Sequence, residues 1–198
     1  VAAAPDYGIE VVVDEASSSM DDTDFTTQAT KIAAAGADSL FAAYYYNAAG
    51  PYIIPQTRAA GFTGAVMGPD GFDGIVPDYI TGNMADYNNV FFTNHYSTES
   101  ESEIVQNFIT NYNAAYGETP NALAALGYDG IYMLFKAIGE AGTTEAAAVK
   151  AALDGMEFEG VTGNFVLDET GTPEKSVAII ELFEDGDSVS QKFNKTQD

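Results

Sequence analysis

Residues 39–74 read SLFAAYYYNAAGPYIIPQTRAAGFTGAVMGPDGFDG, and the order of pieces in this stretch decides the fold class. Ser39 to Ala43 opens a strand, closed by Tyr44-Tyr45-Tyr46-Asn47. Pro51 to Ala60 reads as a helix stopped by Gly61. Pro55 inside it predicts a late start or a kink, because proline lacks an N–H and its ring crowds the preceding turn. Ala65 to Met67 is the next short strand, and Gly68 to Gly74 the loop after it. Strand, helix and strand in alternation imply a mostly parallel sheet with helices on both faces. Ligands in such sheets bind beyond the carboxyl ends of the strands. The segments to inspect are therefore Tyr44 to Gly50 and Gly68 to Gly74.

The pattern extends in both directions. Upstream, the β-branched run Ile9 to Val13 has strand character, and Asp24 with Gln28 behind it reads as the N-cap of a helix running through Ile32 to stop near Gly36. Downstream, Val90 to Thr93 is a fourth strand. The acidic Ser97 to Glu103 opens a helix whose apolar face is Ile104, Phe108, Ile109 and Tyr112. After the turn at Gly117 to Pro120, Ala122 to Ala141 carries Leu123, Leu126, Ile131, Leu134, Phe135 and Ile138 at near-helical spacing. Thr144 to Leu153 is a shorter helix. Phe165 to Leu167 and Val177 to Phe183 read as strands, and the tail from Asp185 is polar.

Charge narrows the partners. Seven Lys plus Arg stand against 30 Asp plus Glu, a formal net charge of -23. Such a surface repels phosphate backbones, so no nucleic-acid partner is expected, and anionic membrane surfaces are disfavoured too. No stretch reaches the roughly 18 apolar residues of a membrane span. Val1 opens a segment without the basic start and apolar core of a leader, which a mature or shortened chain would have lost. Cysteine is absent, which removes disulfides, thiol catalysis and thiolate metal sites.

Two loops carry the chemistry. Three adjacent tyrosines at a strand end cannot all be core, since side chains alternate faces. A phenol reaching the surface offers a rigid apolar ring with one polar tip; the same residues read equally as sheet-packing aromatics. In Met67-Gly68-Pro69-Asp70-Gly71-Phe72-Asp73-Gly74, glycines permit close backbone approach. Asp70 is expected as a buried anion beside the tyrosines, where a carboxylate accepts charge-assisted hydrogen bonds from an ammonium. An ordinary Gly-Pro-Asp-Gly turn accounts for the same residues.

Other candidates are weaker. His95 is the sole histidine, so a serine triad has no other base, and no Gly-x-Ser-x-Gly elbow exists. Asp21-Asp22-Thr23-Asp24 lacks the glycine and glutamate spacing of a calcium loop and reads as a solvated cap. The loop at Gly68 lacks the Lys-Ser/Thr of a phosphate loop. Nothing places Asp129 with Asp168 or Glu169 as a carboxylate pair. No enzyme, metal or cofactor is expected.

Several phrases together resemble the branched-chain amino acid (Leu/Ile/Val-type) binding proteins of ABC importers, members of the type I periplasmic binding fold. They are Asp24-Phe25-Thr26 with its helix, the Tyr-Tyr-Asn strand end, Gln56 to Gly61, Met67 to Gly71, Ala125-Leu126-Gly127-Tyr128-Asp129, Phe158 to Gly163 and Phe165 to Gly171. The resemblance implies an α/β fold: the three-layer parallel-sheet lobe that holds the ligand, without its first strand, plus part of the other lobe. Residues 1–94 and 181–198 would form the former and 95–180 the latter, with hinge strands near Phe92 to Tyr96 and near Ile180. It also implies ligand contacts at Tyr45 or Tyr46, an ammonium partner at Asp70, and Phe72 as a pocket wall.

By that resemblance the chain is an extracytoplasmic solute-binding component, periplasmic or surface-anchored. It captures a small-molecule ligand, an amino acid or similar, between two lobes, and an ABC permease reads the closed form. A sensor domain of the same fold, uncoupled to transport, is the alternative. The family's proteins are longer, so the helix at Ala122 to Ala141 is expected to expose an apolar face through which fragments associate.

Overall fold

The structure is a computed structural model describing residues 2–197. The chain divides into two compact units. One holds the residues through Phe92 together with Glu181–Lys192; the other holds Thr93–Ile180 and the residues from Phe193 onward. Each of the three crossings falls inside a strand.

The first unit is an α/β layer structure. Strands β1 (Ser39–Phe41), β2 (Ala65–Gly68), β3 (Val90–Asn94), β7 (Val177–Asp185) and β8 (Ser188–Gln197) lie in the order β1-β2-β3-β7-β8. The first three are parallel, with Leu40 opposite Val66 and Val66 opposite Val90. Val66, Val90 and Leu182 are fully buried, and Ile54, Ile75 and Tyr87 are buried as completely. The β-branched and aromatic choices are those of a sheet covered on its faces. Helix α1 (Thr26–Ala34) packs on α3 (Ile54–Ala59).

Between β1 and β2 the chain is helical earlier than its sequence predicts. Helix α2 (Tyr46–Ala48) runs through a wider π-turn (Ala49–Ile53) into α3. The prolines explain the widening: Pro55 has no N–H to give to Pro51, and inserting a residue per turn relieves its ring. The carbonyls left over find other donors. Pro51 O accepts Thr81 Oγ1 at 3.0 Å, and Gly50 O accepts the Tyr87 hydroxyl at 2.8 Å. At the start of α1, Asp24 sits one place outside the cap position, yet its Oδ1 still accepts the Thr26 N–H at 3.0 Å.

Ile9 to Val13 is not a strand. It has no strand partner among the described residues, and Ile9, Val11 and Val12 are exposed. A strand without a neighbour has nothing to bond its backbone to. Conversely, the polar tail is β8, paired as a hairpin on β7 with Val189 buried.

The second unit contains α4 (Glu103–Tyr116), α5 (Ala122–Ala141), α6 (Ala146–Leu153) and a small antiparallel sheet. Its strands are β4 (Glu157–Gly160), β5 (Gly163–Leu167) and β6 (Pro173–Glu174). One cluster joins Tyr96, Val105, Phe108, Ala122, Ala125 and Val161; another joins Ala137, Val149 and Met156. Helix α5 buries Ala122, Ala125, Asp129 and Ala137. Leu123, Ile131, Leu134 and Phe135 are exposed. Ala122 and Ala125 meet Val105 and Phe108 of α4, and Ala137 meets Val149 of α6, while these large residues stay exposed.

Candidate functional site

The three tyrosines after β1 go three ways. Tyr44 turns inward: its hydroxyl donates to Ser17 Oγ at 2.7 Å and its ring meets Phe25 edge-on at 5.5 Å. Tyr45 is extended (φ -91, ψ 163) and its carbonyl accepts the N–H groups of Ala48 and Ala49. The residue is 56% exposed. Tyr46 opens α2 half-buried, with its ring 5.0 Å from that of Tyr79.

The loop after β2 folds against them. Asp70–Phe72 is a single 3-10 turn, with Asp73 N–H donating to Asp70 O at 3.0 Å. So short a turn buries one side only, and Phe72 takes it. The Phe72 ring has no exposed surface; it lies over Gly68, where a Cβ would stand 2.5 Å from ring atoms, and 6.4 Å from the Phe92 ring. Phe72 therefore backs the loop from beneath. Asp70, expected to be a buried anion, is exposed instead, at the outer end of the same turn.

The two loops touch. A Cβ on Gly71 would lie 2.9 Å from Tyr44 O and 3.1 Å from Tyr45 Cδ1. One on Gly74 (φ 101) would lie 3.3 Å from Tyr46 Cδ1. Tyr45, Tyr46 and the Asp70 turn are thus brought together beyond the carboxyl ends of β1 and β2, the place where open parallel sheets bind ligands. Tyr79 is an addition: nothing in its own sequence context marks it, and only the fold brings it behind Tyr46. No lysine or arginine occurs from residue 59 through 135, so the loop after β2 contributes carboxylates and no cation.

The other candidates take structural places. The Asp22 carboxylate accepts Ser18 N–H, Ser18 Oγ–H and Ser19 N–H at 2.8, 2.9 and 3.0 Å. These bonds hold its pKa below the ordinary carboxylate value, led by the Ser18 hydroxyl. It borders an open polar hollow of about 500 Å³ together with Asp21, Asp24 and Thr27. In the second unit, Asp129 is buried and accepts Val161 N–H at 2.9 Å and Thr162 N–H at 2.7 Å. Lys175 donates to Thr162 O beside it, and burial lowers the Lys175 pKa against the opposing pull of Asp129. His95 N–H donates to Asn94 Oδ1.

A family model described as periplasmic binding protein matches residues 1–187. The chain belongs to this family. The periplasmic binding protein is similar to a leucine-binding protein from Thermotoga maritima, with 27% identity and a TM-score of 0.73, covering 89% of this chain and 49% of that one. It is similar also to the branched-chain amino acid transporter substrate-binding protein of Streptococcus pneumoniae, solved with isoleucine. There the identity is 28% and the TM-score 0.69, over 88% of this chain and 49% of that one. A Rhodopseudomonas palustris solute-binding protein solved with p-hydroxybenzoic acid shares the fold at 18% identity and a TM-score of 0.79, over 98% and 54%. The periplasmic binding protein thus spans about half the length of these solved relatives. None of the curated proteins matches it. The fold is the type I form that ABC importers use to bind various small molecules; family members are extracytoplasmic and bind solutes without transforming them.

Proposed function

We propose that this periplasmic binding protein captures an amino acid, branched-chain or similar, outside the cytoplasm and delivers it to the permease of an ABC importer. The observation that carries the reading is the exposed Asp70 turn set against the exposed Tyr45 ring, on a loop without a basic residue. A carboxylate at such a place favours a solute with an ammonium group. Tyr45 and Tyr46 supply apolar area for the rest of the solute, and Phe72 holds the turn from below. The two leucine- and isoleucine-type relatives support the same choice. An aromatic acid without an ammonium would bring a second anion toward Asp70 and gains nothing from it.

The test is calorimetric titration of the protein expressed from its complete gene with L-leucine, L-isoleucine and 4-hydroxybenzoate. The amino acids should bind and the benzoate should not. Asp70→Asn should weaken amino-acid binding by roughly 10- to 100-fold, the range for losing one hydrogen bond to a charged group. Tyr45→Ala should weaken it comparably. Tight benzoate binding, or unchanged leucine affinity in both variants, would overturn the assignment.

A further inference from the structure

We propose that Gly71 is a positioning residue for Tyr45, so that the Asp70 turn and the aromatic wall move as one body; this rests on reading Tyr45 as a ligand contact. Gly71 does not have positive φ, and its backbone is open to any residue. What it lacks is room. A Cβ there would sit 2.9 Å from the Tyr44 carbonyl oxygen, 3.1 Å from Tyr45 Cδ1 and 3.5 Å from Tyr45 Cα. The tightest of these contacts is backbone, which no rotamer change can relieve. Tyr44 cannot yield freely either, because its hydroxyl is held by Ser17 and its ring by Phe25. Displacement falls on Tyr45, whose ring is exposed and has space outward.

The coupling runs both ways. The turn is closed by Phe72 N–H to Pro69 O, Asp73 N–H to Asp70 O and Ile75 N–H to Phe72 O. From below, the Phe72 ring occupies the space over Gly68. From above, the Tyr44–Tyr45 backbone sits on Gly71. The turn is held between the two, and its carboxylate keeps a fixed place relative to the phenol of Tyr45.

The experiment reads Tyr45 without any ligand. The protein is labelled with 3-fluorotyrosine, and the Tyr45 fluorine resonance is assigned through Tyr45→Phe. Gly71→Ala should displace that resonance and leave that of Tyr116, in the other unit, in place. Gly61→Ala is the control: Gly61 has φ 94 and nothing within 4 Å of a built Cβ, so it strains the backbone without touching a ring. An unmoved Tyr45 resonance in Gly71→Ala, or an equal displacement in Gly61→Ala, overturns the proposal. Should Gly71→Ala fail to fold, the reverse measurement decides. Tyr45→Gly should speed amide exchange at Phe72 and Asp73 by roughly tenfold, as local opening becomes easier; unchanged exchange overturns the coupling. A failure to bind leucine would remove the amino-acid reading and leave the fluorine result as it stands.

Discussion

At the scale of single residues, the chain spends its scarce positive charge on backbone carbonyls. Arg58 donates to Phe62 O, Gly64 O, Asp86 O and Asn88 O at 3.1, 2.7, 3.1 and 2.9 Å, tying the end of α3 to the turns that lead into β2 and β3. Burial lowers its pKa, against the field of Asp86. Arg58→Ala should cost about 2–3 kcal/mol in urea unfolding, since hydrogen bonds to charged groups are the stronger class. Arg58→Lys should recover little, because an ammonium cannot span four carbonyls with a planar fork. Full stability in Arg58→Ala would show that these carbonyls are satisfied by water. Asp129 is the mirror case, a buried anion clamping two N–H groups beside Gly160, where a Cβ would stand 2.6 Å from Asp129 Oδ2. Asp129→Ala should destabilise the second unit by about 2–4 kcal/mol by leaving both donors buried and unpaired, and Gly160→Ala should act in the same direction by expelling the carboxylate. Hydrogen exchange at Val161 and Thr162 would locate either loss. Both phrases, Gly-Tyr-Asp and Glu-Gly-Val-Thr-Gly, stand out in the sequence, but only the fold reveals that one anchors the other. The candidate site was legible as two loops and a tyrosine cluster. Which tyrosine faces outward was not, because the strand ends at Phe41 and its alternation does not reach residues 44–46.

At the scale of elements, hydrophobic pattern located the helices and the strands β1, β2, β3, β5 and β7, and missed β4, β6 and β8. Ala122 to Ala141 was legible to the residue; the structure caps it with Asn121 and Gly142. Its buried face was not. The exposed Ile131 and Phe135 belong to the apolar face that the resemblance to longer proteins implies for this helix; that alanines and Asp129 would face the neighbours is marked by nothing in the pattern. Ile9 to Val13 failed as a strand because propensity needs a partner, and among the described residues no strand pairs with it. The polar β8 became a strand because β7 supplied one. Along α5, Tyr128 and Tyr132 lie one turn apart with ring centroids 4.6 Å from each other. The hydrogen bond to Tyr132, then desolvation, raises the Tyr128 pKa to about 12. The neutral phenol is the form that the fold favours. Its contribution to stability is therefore complete below about pH 10, the ordinary tyrosine value, and declines as pH rises toward 12. Burial raises the Tyr87 pKa as well, so ultraviolet titration should show Tyr128 ionising late beside Tyr87, and Tyr132→Phe should bring Tyr128 alone back toward the others. A titration curve unchanged by Tyr132→Phe would refute the pairing.

At the scale of the whole molecule, the dominant fact is a net charge of -23 carried by 198 residues. The cations do little to offset it. Arg58, Lys136 and Lys175 donate to backbone carbonyls, and Lys31, Lys150 and Lys192 form ion pairs with Glu15, Asp154 and Glu181 that are at least partly exposed. Exposed pairs of this kind contribute about 0–1 kcal/mol each. Folding therefore concentrates carboxylates that the unfolded chain would spread apart, and their repulsion works against the compact state. Salt screens that repulsion: the Debye length falls from about 30 Å at 0.01 M to about 8 Å at 0.15 M and about 3 Å at 1 M. The melting temperature should therefore rise with sodium chloride by at least about 3 °C, the shift that roughly 1 kcal/mol gives a chain of this size. Screening and strengthened apolar burial differ in where the gain falls. Screening is mostly spent by a few tenths molar, whereas a salting-out effect grows steadily to several molar and is much larger for sulfate than for chloride. A rise concentrated at low salt and equal for the two sodium salts at matched ionic strength is the expected result. A melting temperature that stays flat or falls over that range would mean that the acidic surface is neutralised within the fold, and the repulsion account would have to be abandoned.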